Sequence, residues 1–270
     1  NLRIHFVPAK ASDNPYLPPH YETFLRAIYP ASWVKRLMDG DWDVYIGQVY
    51  PQFDPEIHEW KMRDSSGKIV IPGFTKLVGG IDFGHPSNTA HKTAAIVGGI
   101  TKTNRLIRLA LFEDASHDVY EKLVNWMAEQ ERIWSPYLFV DTNRSRMKVF
   151  GSSMEGRIIW CADRTQIGWI QEMRKAFVIM PSRGGRGSVK WGIGLVSNRL
   201  NVDETGKPGS YYLPGMYLFV DAMRRYAWPE QVEGQPPPTT PIKSDDDLVD
   251  ADRYMHELVD RFAGDPQLLA

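Results

Sequence analysis

Cysteine is almost absent from the sequence, because Cys161 is the only one among 270 residues. A single thiol excludes an intrachain disulfide and any zinc site built from paired cysteines, which fits a reducing compartment. No apolar run reaches the length of a membrane span and no signal-peptide pattern opens the chain, so we expect no membrane partner. The sequence also lacks the Gly-x-x-x-x-Gly-Lys-Ser/Thr pattern, which excludes a P-loop nucleotide site within it.

An excess of charge of either sign is also missing, since the formal net charge is −1. The charges are nevertheless unevenly distributed. Basic residues gather within 144–148 and 183–190, whereas acidic residues gather within 245–250. A protein that binds phosphate with one surface and metal with another has such a distribution. A protein with an ordinary solvated surface of mixed charge has one as well. Charge alone therefore does not decide between them.

The composition changes along the chain and predicts three parts. Residues 1–60 are rich in proline and aromatic residues and lack the alternating pattern of strands, so we expect a mainly helical or irregular segment. It is interpreted as the end of a preceding domain or a docking arm, and the first residue, Asn1, fits a fragment of a longer protein. Residues 61–76 carry turn signals typical of a linker, and residues 77–270 form the main domain.

Periodicity within this main domain predicts a mixed α/β sheet with helices on its faces. A buried strand is expected first, then a hairpin, a long helix, and alternating shorter elements that end in a helix. Strands are predicted at 77–83, 93–101, 106–112, 137–140, 158–161 and 216–220, and helices at 117–133, 166–177, 189–200 and 246–262.

Five aspartates stand where such a sheet would collect them. Asp82 lies inside an apolar strand, where a charge is costly unless it is paired or binds metal. Asp141 ends another predicted strand, and Asp246 and Asp247 share one helical face with Asp250. Each has an ordinary alternative: a strand residue bonded to backbone amides, a helix cap, or acids favoured by a helix dipole. Together they favour a site for two hard divalent cations, Mg²⁺ or Mn²⁺.

Several ordered motifs resemble the large terminase subunits of tailed bacteriophages. The stretch Asp-Asp-Leu-Val-Asp-Ala-Asp-Arg-Tyr at 246–254 is similar to the start of the last helix of their nuclease domain. Gly-Ile-Asp-Phe-Gly at 80–84 resembles its first catalytic strand, and Phe-Val-Asp at 139–141 resembles its second acidic strand. The proline-rich stretch before Lys243 also fits. Residues 14–50 are similar to the end of the terminase ATPase domain, so the resemblance covers nearly the whole chain.

The resemblance implies a ribonuclease-H-like nuclease that uses two divalent metals. Asp82, Asp141 and Asp247 would be catalytic metal ligands, with Asp250 as a further ligand and Asp246 as an alternative within the aspartate run. Such an enzyme cuts concatemeric double-stranded DNA when packaging begins and ends. Its implied partners are DNA, the portal protein, the small terminase subunit and the ATPase part of the same protein. It would act in the host cell cytoplasm, transiently on the procapsid.

Basic residues near these acids are candidates for DNA contact. Arg183, Arg186 and Lys190 lie on a glycine-rich loop suited to tracking a phosphate backbone, or simply on a solvated loop. Arg144 and Lys148 follow Asp141 directly. Two other functions stay open: a Holliday-junction resolvase or transposase of the same fold, and a non-catalytic docking module of a packaging motor. A transposase would place a glutamate at the third acidic position, where this chain has aspartate.

Overall fold

The computed structural model describes residues 10–18, 20, 21, 23, 38, 47–84, 91–139, 148–149, 152–153, 157–229, 238 and 240–264. Two compact units divide the chain, one drawn from Asn1–Pro51 with Arg224–Ile242 and the other from Gln52–Met223 with Lys243–Ala270. Most of the predicted N-terminal segment lies outside the described residues, as do Asp141 and Arg144. No helix within the described ranges is both long and apolar enough to cross a membrane.

The smaller unit joins two distant stretches of the chain through backbone hydrogen bonds. The Val49 amide donates to the Tyr226 carbonyl at 2.9 Å, and the Trp228 amide donates to the Gly47 carbonyl at 2.7 Å. The rings of Tyr50 and Tyr226 stack with their centroids 5.9 Å apart. Two stretches almost 180 positions apart in the sequence are thereby held together within this unit.

The larger unit is built on a mixed sheet, as the sequence predicts. Within the described residues it has six strands in the order β7-β6-β1-β2-β3-β8, with a separate two-stranded ribbon, β4-β5. The strands are β1 (Phe74–Asp82), β2 (Thr93–Thr101), β3 (Leu106–Asp114), β4 (Lys148–Val149), β5 (Ser152–Ser153), β6 (Ile158–Ala162), β7 (Val178–Pro181) and β8 (Ser210–Tyr212). The helices are α1 (Pro55–His58), α2 (Val119–Trp134), α3 (Ile167–Met173), α4 (Ser188–Leu200), α5 (Tyr217–Arg225) and α6 (Asp247–Gly264), with 3-10 turns at Ala11–Asp13 and Ser135–Tyr137.

The first three strands form an antiparallel meander, which contains the predicted hairpin of β2 and β3 and adds the pairing of β1 with β2. β1 pairs with β2 and β2 pairs with β3, and Asn104 adopts a positive φ of 58° at the tight turn between β2 and β3. β6 then pairs with β1 in parallel, and β7 pairs with β6 in parallel. Parallel neighbours require crossovers, which α2 and α3 supply. As a result β1, β6 and β7 all end at the same end of the sheet.

The two faces of the sheet are covered differently. On one face, Leu123 and Met127 of α2 and Ile170 of α3 pack with Ile81 and Trp160 in the hydrophobic core. On the other face, α6 crosses β1, β2 and β6 and is itself covered by α4. Side chains alternate between faces along a strand, so Asp82 lies on the face of β1 that carries α6.

Two predicted strands are wrong. Residues 137–140 read as a strand that ends at Asp141, but Tyr137 closes the 3-10 turn Ser135–Tyr137, and of the described residues that follow only Leu138 forms an isolated bridge, with Phe74. Residues 216–220 read as a short apolar strand, but the structure has helix α5 (Tyr217–Arg225) there. Its buried residues Phe219, Ala222 and Met223 are spaced three and four apart, as on one helical face, whereas Tyr217 and Leu218 are exposed. Strands β4, β5, β7 and β8 are additions that the sequence pattern did not reveal.

Candidate acidic site

Two aspartates meet where the parallel strands β1 and β6 end. Ile81 lies level with Ala162, and the Asp163 amide donates to the Ile81 carbonyl at 3.0 Å. The next residues along both strands are Asp82 and Asp163, so their side chains are neighbours on one face. Asp163 was missed in the sequence analysis, although it follows a correctly predicted strand. The signal for it was an acid placed directly after an apolar run, the same signal that selected Asp141.

Helix α6 brings further carboxylates to the same end of β1. Gly80 makes this possible, because a Cβ atom at that position would lie 1.8 Å from the Ala251 carbonyl oxygen of α6. The helix therefore sits directly against the strand, with Asp247 and Asp250 in its first turn. Both aspartates are about 95% buried, as is Asp246 just before the helix.

Asp82 lies in an environment that disfavours its charge. Burial raises the pKa of its carboxyl well above the ordinary value of 3.8, and the carboxylates of Asp250, Asp163 and Asp247 raise it further. The Lys243 ammonium acts in the opposite direction without cancelling the effect. Four carboxylates from two strands and one helix thus act on one another at this end of the sheet.

Lys243 is the main cation that faces these acids. Its Nζ lies 2.7 Å from Asp246 Oδ2 and 2.8 Å from Asp250 Oδ2. Burial opposes its charge, but the carboxylates of Asp250 and Asp246 outweigh that and raise the pKa of the ammonium. The second oxygen of Asp250 lies 2.8 Å from Arg253 Nη2, and the stem of Arg253 lies over Gly192 of α4. Asp250 is therefore held from two sides.

Asp247 faces the beginning of β2. The Lys92 amide donates to Asp247 Oδ2 at 3.4 Å, and His91 Nδ1 lies 3.7 Å from Asp247 Oδ1. Burial raises the pKa of Asp247, since the bond from Lys92 and the charge of His91 compensate only in part. Lys92 Nζ pairs with Glu113 Oε2 at 3.0 Å, which adds another carboxylate at this end of the sheet.

A buried ion pair fixes α6 to the sheet behind the site. Arg108 of β3 donates to Asp252 through Nε at 2.6 Å and through Nη2 at 2.8 Å, and both side chains are fully buried. Because the contact is bidentate, it fixes the orientation of the helix as well as its position. The orientation of α6 in turn sets where the carboxylates of its first turn, Asp247 and Asp250, lie.

The donor chemistry of this cluster fits hard divalent cations, which take carboxylate oxygens. As placed, no three His, Cys, Asp or Glu side chains of the described residues lie together closely enough to hold a metal ion. The fit therefore rests on the crowding of nearly buried carboxylates: burial raises the pKa of Asp82, and repulsion from the neighbouring carboxylates raises it further. A divalent cation is what would relieve such repulsion.

A basic loop lies beside Asp163. The Ser182 amide donates to the Ala162 carbonyl at 2.8 Å, and the loop continues through Arg183 and Arg186. The Arg183 amide donates to Glu257 Oε1 of α6 at 2.5 Å, which ties the loop to the helix that carries the acids. Arg164 is a further cation here that sequence analysis missed, and its side chain packs where a Cβ of Gly184 would be.

The structure thus brings some of the predicted site residues together and leaves others untested. Asp82 interacts electrostatically with Asp247 and Asp250, and Lys243 pairs with Asp246 and Asp250. Arg183, Arg186 and Lys190 are exposed on the neighbouring loop and the first turn of α4. Asp141 and Arg144 lie outside the described residues, and of Lys148 only the backbone, in β4, is described.

Comparison with known proteins finds likeness in structure rather than in sequence. No protein-family model and no curated protein matches the chain. A large terminase from a thermophilic bacteriophage, called the reference terminase below, matches with a TM-score of 0.53 at 16% identity, over 94% of this chain and 55% of that one. The large terminase nuclease of thermophilic phage G20c matches with a TM-score of 0.48 at 15% identity, over 78% of this chain and 98% of that one. The nuclease domain of the g2p large terminase of bacteriophage SPP1, with bound Mn, matches with a TM-score of 0.45 at 15% identity, over 68% of this chain and 87% of that one.

The likeness to the reference terminase shows a shared fold over nearly the whole of this chain. The predicted fold class is confirmed, namely a ribonuclease-H-like mixed sheet flanked by helices. The resemblance to large terminases is confirmed at the level of the fold. This chain spans about half the length of the reference terminase.

Proposed function

We propose that this chain is a metal-dependent endonuclease of the terminase type that cuts double-stranded DNA. The observation that carries the proposal is the meeting of Asp82 and Asp163, at the ends of parallel β1 and β6, with the acidic first turn of α6. Carboxylates contributed by three elements to one end of a sheet are the kind of donor set that a pair of Mg²⁺ or Mn²⁺ ions requires. The shared fold with a large terminase supports this assignment over other uses of an acidic cluster.

Each residue has a defined task in this proposal. Asp82, Asp247 and Asp250 hold the divalent ions, with Asp163 or Asp141 as the remaining ligand and Asp246 beside them. When bound, such ions supply an activated water and stabilise the charge that develops on the phosphodiester. Arg253 keeps Asp250 oriented, and the Lys92 amide does the same for Asp247. Arg183, Arg186 and Lys190 bind the DNA backbone without reading its sequence.

The wider role follows from the same fold and is also proposed. A nuclease of this type would cut concatemeric viral DNA at the beginning and end of packaging. The portal protein, the small terminase subunit and an ATPase part of the same protein would be its partners, in the host cell cytoplasm and on the procapsid. The division into residues 1–60, 61–76 and 77–270 stays a prediction.

Plasmid cleavage tests the nuclease directly. Purified protein is incubated with supercoiled plasmid in Mn²⁺, in Mg²⁺ and in excess chelator. We expect metal-dependent nicking or linearisation, and Asp82→Asn should lower the rate on the order of 100-fold or more while the protein stays folded. Asp118→Asn, at an exposed helix start, is the matched control and should cut normally. Cleavage in chelator, or undiminished cleavage by Asp82→Asn, contradicts the proposal.

The second acidic ligand is tested in the same assay. Because Asp163 lies beside Asp82 in the parallel register, we expect Asp163→Asn to abolish cleavage. Asp141→Asn should leave most of the activity if Asp163 is the ligand. The reverse result would assign the ligand to Asp141, as the sequence motif does.

Further measurements distinguish the two alternative functions, a resolvase-like enzyme and a docking module. A resolvase-like enzyme would prefer a four-way junction over linear duplex in a competition assay. A docking module would neither cut DNA nor change its melting temperature with Mn²⁺.

A further inference from the structure

Lys243 is placed unusually for a surface lysine. Its side chain is 50% exposed, whereas the carboxylates that it contacts, Asp246 and Asp250, are 4% and 8% exposed. The ammonium reaches inward from the solvent side and lies within 3 Å of both. The cation is therefore accessible from outside, while the acids that it neutralises are not.

The ammonium and a divalent cation would need the same oxygen atoms. Asp250 offers one oxygen to Lys243 and the other to Arg253, so both of its oxygens are engaged. Asp246 offers Oδ2 to Lys243 as well. A divalent ion also takes carboxylate oxygens, at a shorter distance than a hydrogen bond.

We propose that Lys243 is an internal counter-ion of the metal-free site, which a divalent cation displaces from Asp246 and Asp250. The ammonium holds the carboxylates against their mutual repulsion until metal arrives. Metal binding then moves the Lys243 side chain out towards solvent, which its half-exposed position allows. This inference rests on the proposed function, because it takes Asp250 to be a metal ligand.

Metal affinity is the first test. Mn²⁺ is titrated calorimetrically into the whole chain and into Lys243→Met, which keeps the length of the side chain and removes its charge. We expect Lys243→Met to bind Mn²⁺ more tightly, on the order of ten-fold, because no ammonium has to leave. Lys61→Met removes a lysine that pairs with Glu56 at 2.9 Å on the exposed surface, and its Mn²⁺ affinity should match that of the unmodified protein.

Chemical footprinting of the unmodified protein is the second test, and it does not depend on the variant folding. Lysines are acetylated in chelator and in saturating Mg²⁺, and the modified sites are quantified by mass spectrometry. Displacement predicts that Lys243 becomes several-fold more reactive with Mg²⁺, while Lys61 does not change. Equal reactivity of Lys243 in both conditions would overturn the inference.

The possible failures can be told apart. If the unmodified protein binds Mn²⁺ but Lys243→Met binds it equally or less tightly, the counter-ion inference is overturned and the nuclease proposal stands. If neither protein binds Mn²⁺, the metal site itself is absent and both proposals fall. Tighter binding by Lys243→Met together with increased reactivity of Lys243 supports both.

Discussion

The raised pKa of Asp82 means that its ionised carboxylate lowers the stability of the metal-free protein. Burial and the carboxylates of Asp250 and Asp163 hold its pKa well above 3.8, the value expected in the unfolded chain. A carboxyl whose pKa is raised by folding contributes stability that is present below the unfolded pKa. That contribution is lost as pH rises through the folded pKa. At neutral pH without metal, Asp82 therefore destabilises the fold.

Asp82→Asn should accordingly stabilise the metal-free protein. Each unit by which folding raises the pKa corresponds to about 1.4 kcal/mol. We expect a gain in the free energy of unfolding, measured by urea denaturation in chelator, that is larger at pH 8 than at pH 5. Asp118→Asn is a control in which the pKa shift has the opposite sign, because the Lys122 ammonium lowers the pKa of Asp118 to about 2. Removing the Asp118 charge should therefore not raise the free energy of unfolding. A variant at position 82 that is less stable at pH 8 contradicts this account.

The residue scale also shows what the sequence can reveal about the site. Asp82 and the acids of 246–250 stand out locally, as a charge in an apolar strand and as a run on one helix. Asp163 and Asp141 carry the same local signal, an acid directly after an apolar run of sequence. Only the parallel pairing of β6 with β1 distinguishes Asp163, and that pairing joins residues about 80 positions apart.

At the scale of elements, the approach of α6 to β1 decides where the acids lie. Gly80→Ala would place a methyl group against the Ala251 carbonyl, which is backbone and cannot rotate away. We expect α6 to shift, with a loss of about 2 kcal/mol or more in stability and weaker Mn²⁺ binding. Urea denaturation and calorimetry measure the two effects.

Gly194→Ala is the matched control for this substitution. A Cβ at Gly194, within α4, meets nothing within 4 Å. Replacing a helical glycine in open space should stabilise by roughly 0.5–1 kcal/mol and leave metal binding unchanged. Equal effects of the two substitutions would show that close packing at Gly80 does not position the site.

Elements were predictable where their signal is local. The β2–β3 hairpin and helix α2 follow from alternation and helical spacing within single windows. Residues 216–220 misled because five consecutive large residues fit a strand, and the helical spacing appears only when Ala222 and Met223 are included. β7 has four residues and exists because β6 offers it a parallel edge, which no local pattern encodes.

At the scale of the whole molecule, acidic and basic groups share one end of the sheet. The loop after β7 begins where the Ser182 amide donates to the Ala162 carbonyl, next to Asp163, and it is tied to α6 through Glu257. A duplex held by this loop would present its backbone to the acidic site. The nearly neutral total charge therefore conceals a separation of charge that suits phosphate binding.

The double variant Arg183→Ala/Arg186→Ala should weaken binding to duplexes of different sequence by similar factors. The slope of log affinity against log salt should fall by about 0.9 for each phosphate that the protein no longer neutralises. Fluorescence anisotropy at several salt concentrations, with chelator to prevent cutting, measures both. Arg132→Ala removes an exposed arginine of α2 as a control. An unchanged salt slope in the double variant would remove the loop from the DNA interface.

The buried pair between Arg108 and Asp252 has a consequence for the synthesis of the protein on the ribosome. The two residues are 144 positions apart. At about 5–20 residues per second, a ribosome adds Asp252 roughly 7–30 s after Arg108. Until residues 247–264 are made, Arg108 has no Asp252 to pair with, and the face of β1 that α6 covers in the finished protein has no helix to cover it. Helix α6 also carries Asp247 and Asp250, so under the proposed function a chain synthesised only as far as residue 246 should not cleave DNA.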